Sequence, residues 1–280
     1  MQIIPIDSIE DPRVASYRNV READLKGRDS LFMAEGRFVV SLLLRDGRFP
    51  VESVFLSEAA LEALRPMLES LAEPPPVYVA SRSVMGSIVG FDIHRGCLAA
   101  GRRLPVPPAR EWLGPSPDDA RLLIATEEIS NHDNMGGVSR NAAAFGAAGV
   151  LISPQCCDPL YRKSIRVSMG HALRLPYAEL PVGAEGIAVL REQGVFTIAL
   201  TPEDGAVPIA QAAEQIEADQ PQRVCLLLGS EGDGLSRAMI EGADLRVRIP
   251  IAAGVDSLNA SVAAAIAMQR LSEALGLFAG

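Results

Sequence analysis

Between Arg223 and Gly229 the chain reads RVCLLLG, and few folds accommodate such a run. A continuous apolar stretch of strand length, stopped by glycine, reads as a strand buried on both faces. It opens into Gly229–Ser236, GSEGDGLS, a turn too rich in glycine for helix or strand. A second strand follows at Leu245–Pro250, LRVRIP, in which arginines alternate with apolar residues until proline ends it. Asp256–Ser261, DSLNAS, then leads into an alanine-rich helix over Val262–Leu275. Two strand ends that deliver two small-residue turns make a pocket lined mainly by backbone amides and carbonyls. Such a pocket suits a flat, polar small molecule.

Upstream, strands are expected at Arg121–Thr126, Val150–Ile152 and Val195–Leu200, and helices at Met135–Ala147, Tyr161–Gly170 and Gly186–Gln193. Five strands alternating with helices predict an α/β fold with a parallel sheet covered on both faces. Ligands of such sheets bind beyond the carboxyl ends of the strands. Both glycine-bearing turns, and the turn at Leu200-Thr201-Pro202, leave strands at that end.

The first hundred residues alternate on a smaller scale. A charged surface helix is expected over Ile6–Asp29, carrying Arg13, Arg18, Arg21, Lys26 and Arg28. Strands follow at Leu31–Gly36, Val54–Leu56, Val77–Val79 and Gly96–Ala100, with helices at Arg37–Arg45, Glu58–Leu71 and Ser83–Val89. From Leu104 the sequence LPVPP, then glycine, proline and charge, reads as a linker. The expected division is a first domain over 1–104, a linker over 105–119 and a second domain over 120–280.

Composition narrows the function classes. There are 26 Lys and Arg against 35 Asp and Glu, a formal net charge of −9, which argues against indiscriminate nucleic-acid binding. The acidic excess lies wholly beyond residue 110, since residues 1–110 carry 14 basic and 14 acidic side chains. All basic residues but Lys26 and Lys163 are arginine, the better bidentate partner for phosphate. The four cysteines (Cys97, Cys156, Cys157, Cys225) and three histidines have no zinc spacing, so no metal is expected. No apolar run is long enough to span a bilayer, and MQIIPIDSIEDPR lacks a signal peptide's basic and apolar regions. A cytoplasmic protein with reduced thiols is expected.

The remaining chemistry sits at Asn131–Gly146, which follows a strand and opens a helix. Asn134 falls near the helix start, where free amides can meet an anion. Arg140, between one and two turns on, is the one cation of a helix otherwise built of small and apolar residues. It reads equally as a surface arginine or as a partner of Glu127 or Glu128. Glu231 reads as a cap of the helix expected at Leu235–Gly242, a task Ser236 could share, and Ser257 and Asn259 read as caps of the last helix. Arg162, Lys163 and Arg166 make Tyr161–Gly170 the most basic stretch of the acidic half, either a solvated face or a phosphate contact.

Taken in order, these motifs resemble those of the SpoU family of RNA ribose 2′-O-methyltransferases, in the knotted SPOUT superfamily. Asn134 and Arg140 match its Asn-x-Gly-x-x-x-Arg-x-Ala. GSEGDGLS matches Gly-x-Glu-x-x-Gly-Leu-Ser, and Ile249-Pro250-Ile251 with Ser257-Leu258-Asn259 matches Ile-Pro-Met and Ser-Leu-Asn. Ala34-Glu35-Gly36 and His94-Arg95-Gly96 resemble landmarks of the small α/β RNA-binding domain that precedes many family members. The resemblance implies a catalytic domain with a C-terminal trefoil knot, S-adenosylmethionine as cofactor, and a homodimer. It implies catalytic roles for Asn134, Arg140, Glu231, Ser257 and Asn259. The cofactor would lie on Leu200, Thr201, Gly229, Ser230, Gly232, Ile249, Pro250 and Leu258. RNA would be met by Arg162, Lys163 and Arg166, and the appended N-terminal domain favours ribosomal over transfer RNA. Because arginine hardly ever deprotonates, Arg140 is expected to position and to stabilise charge, not to act as a base. A non-catalytic RNA-binding relative would be marked by loss of Asn134, Arg140 or Glu231. A nucleotide-dependent oxidoreductase would carry Gly-x-Gly-x-x-Gly after a first strand, which is missing here.

Overall fold

A computed structural model describes residues 1–18, 30–90, 96–114 and 121–278. Arg21, Lys26, Arg28, His94, Arg95 and the linker residues 115–119 lie outside the described residues. The chain forms two compact units, Met1–Pro105 with Leu160–Arg174, and Val106–Pro159 with Leu175–Gly280. Among the described residues no helix is long and apolar enough to cross a membrane.

The first unit is built on a mixed sheet of β1 (Ile3–Pro5), β2 (Leu31–Glu35), β3 (Val51–Leu56), β4 (Val77–Val79) and β5 (Cys97–Arg102), in the order β1-β4-β3-β5-β2. β1 and β3 run parallel to β4, and β5 runs antiparallel to β3 and β2. Successive side chains point to opposite faces, so each apolar strand feeds two cores. Phe32, Ala34, Val54, Leu56 and Cys97 pack on one side, and Leu31, Met33, Phe55 and Leu98 on the other. The surface helix expected from Ile6 is not present over the described part of that segment. Ile3–Pro5 is an edge strand and Pro12–Tyr17 a 3₁₀ turn, because Pro12 breaks the segment and Val14 and Tyr17 are drawn inward. Tyr17 is fully buried and its hydroxyl lies 2.9 Å from the Ser53 carbonyl oxygen, to which it donates.

Leu160–Arg174 was expected within a continuous 120–280 domain, yet it groups with the first unit. Leu160, Ile165 and Leu173 are buried in that unit's core. Arg162 Nη1 meets the buried carboxylate of Glu35 at 3.1 Å, and Arg174 Nε meets Asp46 at 3.2 Å. A cut at residue 104 would therefore strip these three apolar side chains of their surroundings.

Among the described residues the second unit holds seven strands, all parallel, in the order β10-β12-β9-β11-β6-β7-β8. They are β6 (Leu122–Thr126), β7 (Gly149–Ile152), β8 (Tyr177–Glu179), β9 (Phe196–Leu200), β10 (Val207–Pro208), β11 (Val224–Leu228) and β12 (Leu245–Arg248). β11 bears out the apolar run: Val224, Leu226 and Leu228 enter one core, Cys225 and Leu227 the other. Helices His132–Ala144, Ile209–Asp219 and Ala260–Ala274 cover the first face, and Ala109–Leu113, Gly183–Glu192 and Arg237–Gly242 the second. The parallel-sheet α/β class is as expected. Five strands were expected where seven exist, since β8 and β10 are too short to show a pattern. Ala109–Leu113 is a helix inside the expected linker, started at Pro108 and held by burial of Ala109 and Leu113.

Candidate active site

Beyond the carboxyl ends of β9, β11 and β12 lies an open cavity of about 430 Å³. Its wall is the turn leaving β11. Ser230 N donates to Gly234 O at 3.2 Å, closing the turn on itself, while Gly232 and Gly234 take φ of +105° and +72°. A Cβ at Gly229 would run into the backbone of Gly234 and Leu235, so this fold-back admits no side chain there. Of the residues expected to hold a cofactor, Leu200, Thr201, Gly229, Ser230, Gly232, Ile249 and Leu258 line the cavity, and Pro250 does not. Pro250 lies two residues past the end of β12 and is exposed. Ile251, the last residue of the Ile249-Pro250-Ile251 motif, also lines the cavity, as do Asp256, Ala260 and Ala263, which nothing in their spacing assigns to a cofactor.

Asn259 organises the polar rim. Its Oδ1 caps helix Ala260–Ala274, accepting from Ser261 N at 3.0 Å and Val262 N at 3.3 Å. Its Nδ2 donates to Asn134 Oδ1 at 2.9 Å and to Glu231 Oε1 at 2.7 Å. Three motifs spread over more than a hundred residues thus meet in one chain of hydrogen bonds. Asn134, 3 % exposed, sits in the first turn of its helix, which Asn131 caps by accepting from Asp133 N at 2.8 Å. Of each pair of residues expected as caps, one is borne out. Ser236, not Glu231, caps helix Arg237–Gly242, and Asn259, not Ser257, caps the last helix. Ser257 is exposed at the cavity wall.

Arg140 is exposed and does not line the cavity. Among the described residues its guanidinium makes no ion pair, so pairing with Glu127 or Glu128 is not what holds it. Arg162 is committed to Glu35, which removes it from a purely solvated face, whereas Arg166 is exposed.

Glu127 has a different task, one that residue spacing could not reveal. Only 3 % exposed, it accepts from Ser236 N (2.7 Å) on Oε2, and from Ser236 Oγ (3.0 Å) and Gly183 N (3.1 Å) on Oε1. It thereby ties the end of β6 to the end of the glycine turn and to the start of helix Gly183–Glu192. Glu127→Gln turns an amide NH₂ toward donors that need an acceptor. It is expected to cost about 1–3 kcal/mol of stability, read as a lower urea midpoint at unchanged slope.

Cys97, Cys157 and Cys225 are not candidate nucleophiles. Burial pushes Cys97 and Cys157 up to about 12, and Cys225 further still. Among the described residues no three His, Cys, Asp or Glu side chains gather as a metal site requires.

A parallel sheet with its polar rim and glycine-walled cavity at the carboxyl ends of the strands defines a small-molecule-binding α/β protein. Known proteins make the class specific. Residues 121–269 match the model of the SpoU rRNA Methylase family. An uncharacterized tRNA/rRNA methyltransferase of Mycobacterium bovis is 38% identical over 262 residues, which cover 92% of this chain and 88% of that protein. The structure resembles that of an AdoMet-bound rRNA methyltransferase from Sinorhizobium meliloti, with a TM-score of 0.80 at 23% identity over 98% of each chain. It also resembles an RNA 2′-O ribose methyltransferase, with a TM-score of 0.73 at 24% identity over 98% of this chain and 100% of the other. The chain belongs to the SpoU family.

Proposed function

We propose that this chain transfers the methyl group of S-adenosylmethionine to a ribose 2′-hydroxyl of structured RNA, ribosomal rather than transfer RNA, and works as a homodimer. The observation that carries the reading is the hydrogen-bonded chain Asn134–Asn259–Glu231 at the rim of the glycine-walled cavity. The cavity fits the cofactor in kind: glycine backbone and the side chains of Leu200, Ile249 and Leu258 suit a flat purine, while Glu231 and Asp256 suit a ligand with positive charge. Gly229, Ser230, Gly232, Ile249, Leu258, Leu200 and Thr201 would hold it. Bound there, S-adenosylmethionine supplies an electrophilic methyl carbon on a sulfonium.

What remains for the protein is to align a hydroxyl with that carbon and to stabilise the oxygen's developing negative charge. Asn134, Glu231, Ser257 and Asn259 offer hydroxyl, amide and carboxylate groups that can orient it. Arg140, always protonated, is assigned to the RNA phosphate or the developing alkoxide. Retention of all these residues favours an enzyme over a non-catalytic RNA-binding relative. Exposed Val262 and Ile266, one turn apart on the last helix, together with exposed Ile251 and Val255, support self-association.

The test is transfer of labelled methyl from S-adenosylmethionine to ribosomal and transfer RNA lacking the modification, with the product nucleotide identified. The expected product is a 2′-O-methylnucleotide in the ribosomal fraction. A base-methylated product, or label confined to transfer RNA, would overturn the corresponding half of the proposal.

A further inference from the structure

The regrouping of Leu160–Arg174 changes the electrostatics of both units. The first carries 17 of the 26 Lys and Arg and 14 of the 35 Asp and Glu, a net charge of +3. The second carries 9 and 21, a net of −12. A chain with net charge −9 therefore concentrates its cations in one unit, and two segments of that unit carry cations but no acids of their own. Arg37–Leu44 and Leu160–Leu173 contain no carboxylate, and the next one along, Asp46, is engaged by Arg174.

These segments meet on one face. Arg162 reaches back to Glu35, the residue before Gly36, and so sets the start of helix Arg162–Val167 beside the start of helix Arg37–Asp46. Arg166 is one turn beyond Arg162 and shares its side of the short helix. Phe38 and Leu42 are likewise one turn apart, and Leu42 Cδ2 stands 2.8 Å from where a Cβ at Gly170 would be. Met169 precedes that glycine. The result is a strip in which Phe38, 58 % exposed, and Met169, 41 % exposed, lie among cations. The side chains of Arg37 and Arg166 are exposed and have no hydrogen bond or ion pair among the described residues.

A lone exposed apolar side chain is ordinary on a protein surface; what marks this strip is an aromatic ring set beside arginines without a carboxylate partner. Unpartnered arginines around an aromatic face match unpaired nucleotides, whose bases stack on the ring while phosphates take the guanidinium groups. We propose that Phe38, Met169, Arg37 and Arg166 form a stacking platform for single-stranded nucleotides of the RNA substrate. This rests on the RNA-methylation reading and extends it to how the first unit grips the substrate. An aromatic ring flanked by guanidinium groups serves base and phosphate together, so RNA is the occupant argued for.

The experiment is fluorescence anisotropy of full-length protein with fluorescein-labelled single-stranded oligoadenylate and, separately, an RNA duplex. Phe38→Ala is expected to weaken the single strand by about 5- to 100-fold and the duplex by less than about twofold, with Phe38→Tyr within about twofold of wild type. Replacing Arg37 and Arg166 together by Gln is expected to lower the slope of log affinity against log salt by about 1.4. Cofactor affinity, measured by calorimetry, should not change in any of these variants. Unchanged single-strand binding by Phe38→Ala overturns the platform, as does equal loss on the duplex. A shift in sedimentation with intact RNA affinity would assign the face to protein contact instead and overturn it as well. If wild-type protein methylates RNA and Phe38→Ala binds like it, only the platform falls. If wild type neither binds nor methylates RNA, the functional reading falls with it.

Discussion

Arg140→Ala should lower methyl transfer to RNA by at least about 10²–10³-fold, the usual loss when one preorganised charge-stabilising group is removed. S-Adenosylmethionine affinity should stay within about twofold. The separation follows from position: Arg140 is exposed, contributes nothing to the cavity wall, and among the described residues supports no other side chain. Truncation therefore leaves no buried carboxylate unpaired, and stability should be within about 0.5 kcal/mol of wild type. Arg140→Lys keeps the charge but loses the planar fork, so it should recover only part of the activity. Single-turnover methylation beside calorimetry of cofactor binding reads both quantities. Full activity in Arg140→Ala would remove the residue from the reaction.

The same contrast explains what the sequence could show. β11 was legible because a strand buried on both faces must be apolar at every position, and both cores receive its side chains. The glycine turn was legible because Gly229 has no room for a side chain and Gly232 and Gly234 take positive φ. Neither Glu127 nor Leu160–Arg174 was legible, for a shared reason: their partners are set by tertiary packing. Glu127 looks like any carboxylate after a strand until Ser236, more than a hundred residues on, donates to it. Helix Arg162–Val167 has the pattern of an ordinary surface helix, and its anchors, Glu35 and the core around Ile165, lie far away in sequence. Similarly, Tyr17 sits in a stretch with the charge of a surface segment, yet its ring is wholly buried. Asn259 lies between these extremes. Its capping role could be read locally, but its second role, bridging Asn134 and Glu231, needed the fold.

The largest effect on cofactor binding is expected from Gly229→Ala, and a neighbouring glycine supplies the control. Gly229 needs no left-handed backbone; what it lacks is room, since a Cβ would overlap the backbone of Gly234 and Leu235. Backbone cannot swing aside as a side-chain end can, so the turn must open and the bond from Ser230 N to Gly234 O must break. The cavity wall formed by Gly229, Ser230 and Gly232 then moves as a unit, and S-adenosylmethionine binding should weaken by more than about 100-fold, in line with the loss of several backbone contacts at once. Gly232 is the opposite case. Its φ of +105° strains any other residue, at about 1–3 kcal/mol, but a Cβ there meets nothing within 4 Å. Gly232→Ala should therefore lower stability while weakening the cofactor less than Gly229→Ala does. Calorimetric titration of both variants, with urea midpoints alongside, separates steric from conformational cost. If both bind the cofactor as wild type does, the turn after β11 is not its cradle. If Gly232→Ala proves the more damaging to binding, backbone conformation rather than close approach governs the pocket.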